Sequence, residues 1–247
     1  MPSTATPPFQ PAVQGRLLSL LSAGVLLVAS AGRGATAAPQ LDGTIGQRAL
    51  ACAACHGEEG RATRDGYFPR IAGKPAGYLY NQLINFREGR RQYPPMTYMV
   101  RYLSDDYLKE MAEYFSGLDL PYPPPEPVRG PKAESDRGAS LVTNGDLSRG
   151  IPACMACHGE KLTGTLPAVP SLVGLSRHYL NAQFGAWRSG ARKASQPDCM
   201  AAISRKLTPD DISAITSWLA AQPVPADTHP IPSAPGPMPL PCGVVAK

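Results

Sequence analysis

Cys52-Ala-Ala-Cys55-His56-Gly57-Glu58 recurs as Cys154-Met-Ala-Cys157-His158-Gly159-Glu160, 102 residues further along a chain of 247. The blocks that follow repeat in the same order. Phe68-Pro69-Arg70-Ile71-Ala72-Gly73 is matched by Val169-Pro170-Ser171-Leu172-Val173-Gly174, and Leu79, Leu83, Phe86 and Gly89 by Leu180, Phe184, Trp187 and Gly190, all at an offset of 101. Met96, followed seven residues later by Leu103-Ser104-Asp105-Asp106, is matched at 104 by Met200 and Leu207-Thr208-Pro209-Asp210-Asp211. Four blocks in one order predict two homologous domains. Composition shifts set their bounds at 38–120 and 136–222, joined by a Pro-rich linker over 121–135 and followed by a Pro-rich tail over 223–247. These two stretches hold most of the excess in the chain's 28 prolines.

Each unit reads as helical. Leu79, Leu83 and Phe86 stand at i, i+4 and i+7, as do Leu180, Phe184 and Trp187, giving one apolar helix face per unit, with Gly89 and Gly190 as stops. Ser104 and Thr208 are N-caps before first-turn acids, with Pro209 at the first helical position. A third helix precedes each Cys pair, over roughly 43–54 and 136–144. No segment shows sustained strand alternation, so the fold class is all-α. Units of this size with few aromatics bury little surface and need something else to fill the interior.

The Cys motifs say what that is. In C-x-x-C-H, two thiols spaced to add to the vinyl groups of haem stand beside a His placed to ligate iron. A redox dithiol or half a zinc site shares the pattern. Zinc ribbons, however, pair their C-x-x-C units at about 15–20 residues, and here the gap is about a hundred. Two copies in matched contexts predict two covalently bound haem c groups, held by Cys52 and Cys55 and by Cys154 and Cys157, with His56 and His158 on iron. Met/His coordination is the electron-transfer arrangement. Met96 and Met200 hold the same repeat position, on an expected extended stretch after the Gly-ended helix, and are the candidate second ligands; Met99 is the rival to Met96. Met155, inside the motif, is expected to point away, and Met111 to belong to a helix face.

Leu17–Gly32 is an uncharged run bracketed by Arg16 and the string Ala35-Thr36-Ala37. That pattern describes a secretory leader over 1–37, an uncleaved anchor being the alternative, and predicts a periplasmic protein. Without the leader, 22 basic residues stand against 19 acidic ones, with no basic stripe of the kind a nucleic-acid binder needs. Arg188, Arg192 and Lys193 form a candidate docking patch, a solvated face being the plainer reading. Cys199 and Cys242 remain after haem attachment. In an exported protein they are expected to pair; a Cys199 thiolate ligand and an intermolecular bridge are the alternatives.

Taken together, C-x-x-C-H-G in both halves, Phe68–Gly73, Phe86-Arg87-Glu88-Gly89, Met96 to Val100, Leu103-Ser104-Asp105-Asp106 and Arg149-Gly150-Ile151-Pro152-Ala153-Cys154 resemble the dihaem cytochromes c of the cytochrome c4 type over about 40–222. The resemblance implies two class I cytochrome folds related by a pseudo-twofold, haem propionates near their interface, and the carbonyls of Pro69 and Pro170 accepting the proximal histidines' N–H. It implies an electron carrier in a respiratory chain, with no catalytic residue, a membrane cytochrome complex as donor and a terminal oxidase or other acceptor, and room for peripheral membrane association. The competing readings are a subunit of a membrane-associated dehydrogenase or oxidase, and a dihaem enzyme. The linker, the tail and the Cys199 and Cys242 pair depart from the family pattern.

Overall fold

Helix starts are written in the caps. Thr44 caps α1 (Ile45–His56) by accepting from the Gln47 amide, and Ser104 caps α4 (Asp105–Ser116), whose first turn carries Asp105 and Asp106. Between them lie α2 (Ala76–Arg87), which begins after Pro75, and the short α3 (Pro94–Val100), with prolines at its start. The second half repeats the plan: α5 (Lys132–Thr143), α6 (Met155–His158), α7 (Arg177–Ser189) capped by Ser176, α8 (Cys199–Lys206) capped by Asp198, and α9 (Pro209–Ala220) closed by a reciprocal Thr208–Asp211 capping box. A computed structural model describes residues 43–63 and 66–244. Among these residues there are nine α-helices and only isolated bridges in place of strands. The leader predicted over 1–37 lies outside them, and no described helix is long and apolar enough to cross a membrane.

One expectation is corrected here. Met96 and Met200 do not lie on extended chain but in the first turns of α3 and α8, elements that apolar periodicity alone missed because each is only seven or eight residues long. The helix expected over roughly 136–144 is present as α5, which stops at Thr143, and a separate turn of helix carries Met155–His158.

The second half has one continuous core, in which Leu141, Val142, Ile151, Val173, Leu180, Phe184, Ile215 and Leu219 are buried together. Its helices α5 and α9 approach closely because Gly138 has no Cβ: one would lie 2.3 Å from the Ala214 carbonyl oxygen. In the first half the core is divided, Leu79, Met111 and Phe115 forming one cluster and Phe86, Val100 and Leu108 another, with Tyr80 and Leu83 touching both. The halves meet through loops that follow α2 and α7. Gln92 donates to the Ala191 carbonyl at 2.7 Å and Lys193 to the Arg90 carbonyl at 2.8 Å, so that Arg91 and Arg192, repeat partners, form an antiparallel bridge.

The linker is docked rather than a free spacer. Arg70 donates to the Leu120 and Pro121 carbonyls and lies 3.8 Å from the Tyr122 ring centroid, while the Glu126 amide donates to the Ala220 carbonyl at 2.9 Å. Tyr122 packs on Gly174, where a Cβ would be 2.2 Å from the ring. The tail is also tied down. Ile231 exchanges backbone hydrogen bonds with the 164–166 loop, its carbonyl accepting from the Leu166 amide and its amide donating to the Gly164 carbonyl, and Cys242 is disulfide-bonded to Cys199, with Cα atoms 4.9 Å apart. The expected pairing is observed.

Candidate haem sites

Cys52, Cys55 and His56 close α1 at i, i+3 and i+4, so one helix face carries all three. His56 is 8% exposed, and its Nδ1 lies 2.9 Å from the Pro69 carbonyl, which can only accept. The proton is therefore on Nδ1, and Nε2 keeps the lone pair that a metal needs. The second motif repeats this: His158 is 7% exposed, with Nδ1 2.7 Å from the Pro170 carbonyl. Burial pushes the His56 ring below its ordinary value against the Pro69 bond, with the Arg91 charge adding to the fall. Burial takes His158 down to about 4 against the Pro170 bond, helped by the charge of Lys74. Both imidazoles are thus neutral, the form that ligates.

The four motif thiols are free. Burial raises Cys52, with Cys55 adding to it, raises Cys157, and drives Cys154 up to about 12. Among the described residues no cluster of three or more His, Cys, Asp or Glu gathers at metal-binding range, so neither Cys pair has the further ligands that a zinc site needs.

Met96 is half-buried and packs against the Phe86, Val100 and Leu108 cluster, whereas its rival Met99 is 44% exposed. Met200 is half-buried against the second core, which Cys154 also touches. Met155 packs on that same core instead of pointing away. Met111 is buried on the α4 face, as expected.

Between the halves sits a polar cluster that motif reading missed. Arg91 donates to Gln82 at 3.0 Å, Tyr179 at 3.2 Å and Gln183 at 2.7 Å; Arg192 donates to Gln183 at 2.7 Å, Tyr78 at 3.3 Å and Gln82 at 3.1 Å. Each residue is matched by its repeat partner at offset 101, the one signal in the sequence that pointed to them. Arg192 is 6% exposed, so it is no part of a surface docking patch; Arg188 donates to the Leu207 carbonyl at 3.1 Å but is exposed, as is Lys193. Every acceptor is neutral, and among the described residues neither arginine has a carboxylate partner. Burial and the neighbouring Arg91 lower Arg192, whereas Tyr179 and Tyr78 outweigh burial at Arg91 and raise it. Trp187, stacked 4.0 Å from the Arg192 guanidinium, has a buried indole N–H with no acceptor. Two guanidiniums and an orphaned donor call for an anion, and the carboxylates of haem supply that chemistry. The residues fit the group.

Comparison with known proteins agrees. Residues 44–119 match the family model Cytochrome c. The cytochrome c4 of Pseudomonas aeruginosa is 32% identical over 181 residues, 72% of this chain and 87% of that protein. The chain belongs to the cytochrome c4 family. A solved cytochrome c4 from Pseudomonas stutzeri superposes with a TM-score of 0.63 at 30% identity, covering 72% of this chain and 96% of that one. A protein of Thiomonas intermedia named as a thiosulfate dehydrogenase electron acceptor is 35% identical over 210 residues, 85% of this chain and 92% of its own. The all-α cytochrome c fold and covalently attached haem c follow from membership in this cytochrome c4 family, and with them the role of electron carrier.

Proposed function

We propose that this cytochrome c4-type protein is a periplasmic dihaem carrier, without catalytic activity of its own, that takes electrons from a thiosulfate-oxidising dehydrogenase and passes them to a terminal oxidase or other acceptor. Cys52 and Cys55 would hold the first haem through thioethers with His56 and Met96 on its iron; Cys154, Cys157, His158 and Met200 would do the same for the second. The observation that carries this reading is the duplicated His–Pro carbonyl bond, 2.9 Å and 2.7 Å, in two halves that each hold a half-buried Met at one repeat position.

Each haem, when bound, supplies an iron that cycles between ferric and ferrous. The chain's own part is to hold that iron six-coordinate. Pro69 and Pro170 fix the imidazole planes and make the rings better donors. A thioether favours the ferrous state, which raises the potential. Arg91 and Arg192, whose hydrogen-bond partners are all neutral, would balance the charge of the haem carboxylates at the meeting of the halves. The disulfide supports an oxidising compartment, and the donor assignment is supported by the name of the Thiomonas intermedia relative.

The test is a haem count with oxidised and reduced absorption spectra of the purified protein, followed by mixing with a thiosulfate dehydrogenase and thiosulfate. Two low-spin haems per chain, reduced within seconds, are expected. One haem, or a high-spin ferric spectrum, overturns the ligation; two haems that stay oxidised overturn the donor.

A further inference from the structure

The loop that binds each proximal histidine is not the same in the two halves. Position by position, Arg70 is matched by Ser171 and Lys74 by Leu175. Leu175 is an ordinary member of the second core, whereas Lys74 is a cation only 3% exposed. Its ammonium reaches into the other half and donates to the Ser171 carbonyl at 3.1 Å. The next carbonyl back along the chain, that of Pro170, accepts the His158 Nδ1 proton at 2.7 Å. A charge from the first half is therefore anchored beside the backbone that orients the second half's histidine, and the second half returns nothing of the kind.

Nothing nearby cancels it. Among the described residues Lys74 forms no ion pair with a carboxylate. Arg70, the other charge that bears on it, is turned away toward the carbonyls of Ala72, Leu120 and Pro121 and the Tyr122 ring. The loop is rigid where Lys74 leaves it. Gly73 takes a left-handed φ of 71°, its amide donates to the Phe115 carbonyl at 2.8 Å, and Pro75 follows. Burial, with Arg70 second, brings the ammonium down to about 7, so it is largely charged at pH 6.

We propose that Lys74 is a positioning residue for the electron: its charge, lent across the interface, holds the second haem at a higher potential than the first. A ferric iron carries one more positive charge than a ferrous one, so a fixed cation in a low-dielectric setting disfavours the ferric state. The step it biases moves one electron, oxidising the iron of the first half and reducing that of the second, with no bond made or broken and no proton transferred. An electron delivered to the first half then settles on the second.

This inference rests on the proposed ligation, and its test separates the two. Full-length holoprotein carrying Lys74→Gln, Lys74→Met or Lys74→Arg is titrated spectroelectrochemically at pH 6, with each midpoint assigned to its half by the separate shift that Met96→His or Met200→His produces. Lys74→Gln keeps a donor for the Ser171 carbonyl while removing the charge, and Lys74→Met removes both. We expect both neutral variants to lower the second midpoint by enough to shift the equilibrium between the haems at least tenfold, 59 mV for one electron. The first midpoint should move much less, and Lys74→Arg should keep the wild-type order. A second midpoint unchanged in Lys74→Gln, equal shifts of both midpoints, or an arginine variant that behaves like the neutral ones overturns the proposal. Fewer than two haems in the wild-type chain overturns the ligation instead.

Discussion

Replacing Cys199 and Cys242 with Ser isolates what the tail does for the second site. The bond closes a loop of sequence separation 43 that contains all of α8 and α9, with Met200 next to the bonded Cys199. On the chain-entropy model a loop of that length is worth about 4 kcal/mol. The folded tail does not depend on the bond alone, since the Leu166 and Gly243 amides donate to the Ile231 and Pro197 carbonyls at 2.9 Å and the Ile231 amide to Gly164 at 3.0 Å. The native structure should therefore persist, and the loss should fall mainly on the unfolded-state side of the balance. For a half of under a hundred residues, about 4 kcal/mol corresponds to upwards of about 15 °C in the midpoint of thermal unfolding. The assay is thermal and urea unfolding of the double variant, and of reduced wild type, followed separately at the two haems. We expect the second transition to drop and the first to stay in place, with no alkylatable tail thiol in the untreated protein. A second transition that does not move, an equal loss in both halves, or two reactive thiols in the native chain would refute the reasoning.

Other expectations follow from single contacts. Asp211→Asn should destabilise by about 2–3 kcal/mol at pH 7, the low end for a broken buried pair because Arg137 and Arg149 are 49% and 31% exposed. Burial opposes the Asp211 charge, but bonds from Arg149, Thr208 and Arg137 outweigh it and hold the carboxyl well below the usual range. Its contribution is therefore present above an unfolded value of about 4 and lost as pH falls further, so wild type and variant should converge in urea unfolding below about pH 4. Met96→His or Met200→His should lower one midpoint only, because a second imidazole favours ferrous iron less than a thioether does; a variant that leaves both midpoints in place removes that Met from the ligand set. Tyr122→Ala should cost about 1–3 kcal/mol by stripping the ring from under Arg70 and from Gly174, read as faster protease cleavage in 121–131.

Repeats and periodicity made the long helices and their caps legible: Leu79, Leu83 and Phe86 mark α2, and Thr208 with Asp211 marks α9. The Cys and His positions were legible for the same reason, since covalent attachment forces their spacing. What escaped was set by packing between segments distant in sequence. Met96 and Met200 stand on helices of about two turns, too short to show a face. Prolines favour extended chain, but nothing in the Pro-rich composition of the linker shows that a single Tyr122 ring and the Glu126 amide dock it. Arg192 seemed to belong with Arg188 and Lys193, neighbours in sequence, while its partners, Tyr78 and Gln82, lie 110 or more residues away. The same offset of 101 that aligned Leu79 with Leu180 also aligned Tyr78, Gln82 and Arg91 with Tyr179, Gln183 and Arg192; a pair of arginines matched across a repeat is the trace that a shared buried anion leaves.

The differences between the halves all act in one direction. Duplication alone would give two sites of equal standing, and the arginine pair preserves that symmetry, each guanidinium bonded to both Gln82 and Gln183. The additions do not. The disulfide, the strap through Ile231 and the continuous core around Leu141, Val173 and Ile215 fall on the second half, and Lys74, a buried cation with no counterpart at its repeat position, also points there. The first half has the divided core and the exposed aromatics Tyr67, Tyr98 and Tyr102. A carrier that must take an electron from one partner and keep it until it meets another gains from such a division: on the proposed role of Lys74, a braced second site with a fixed positive charge beside it sets where the electron rests.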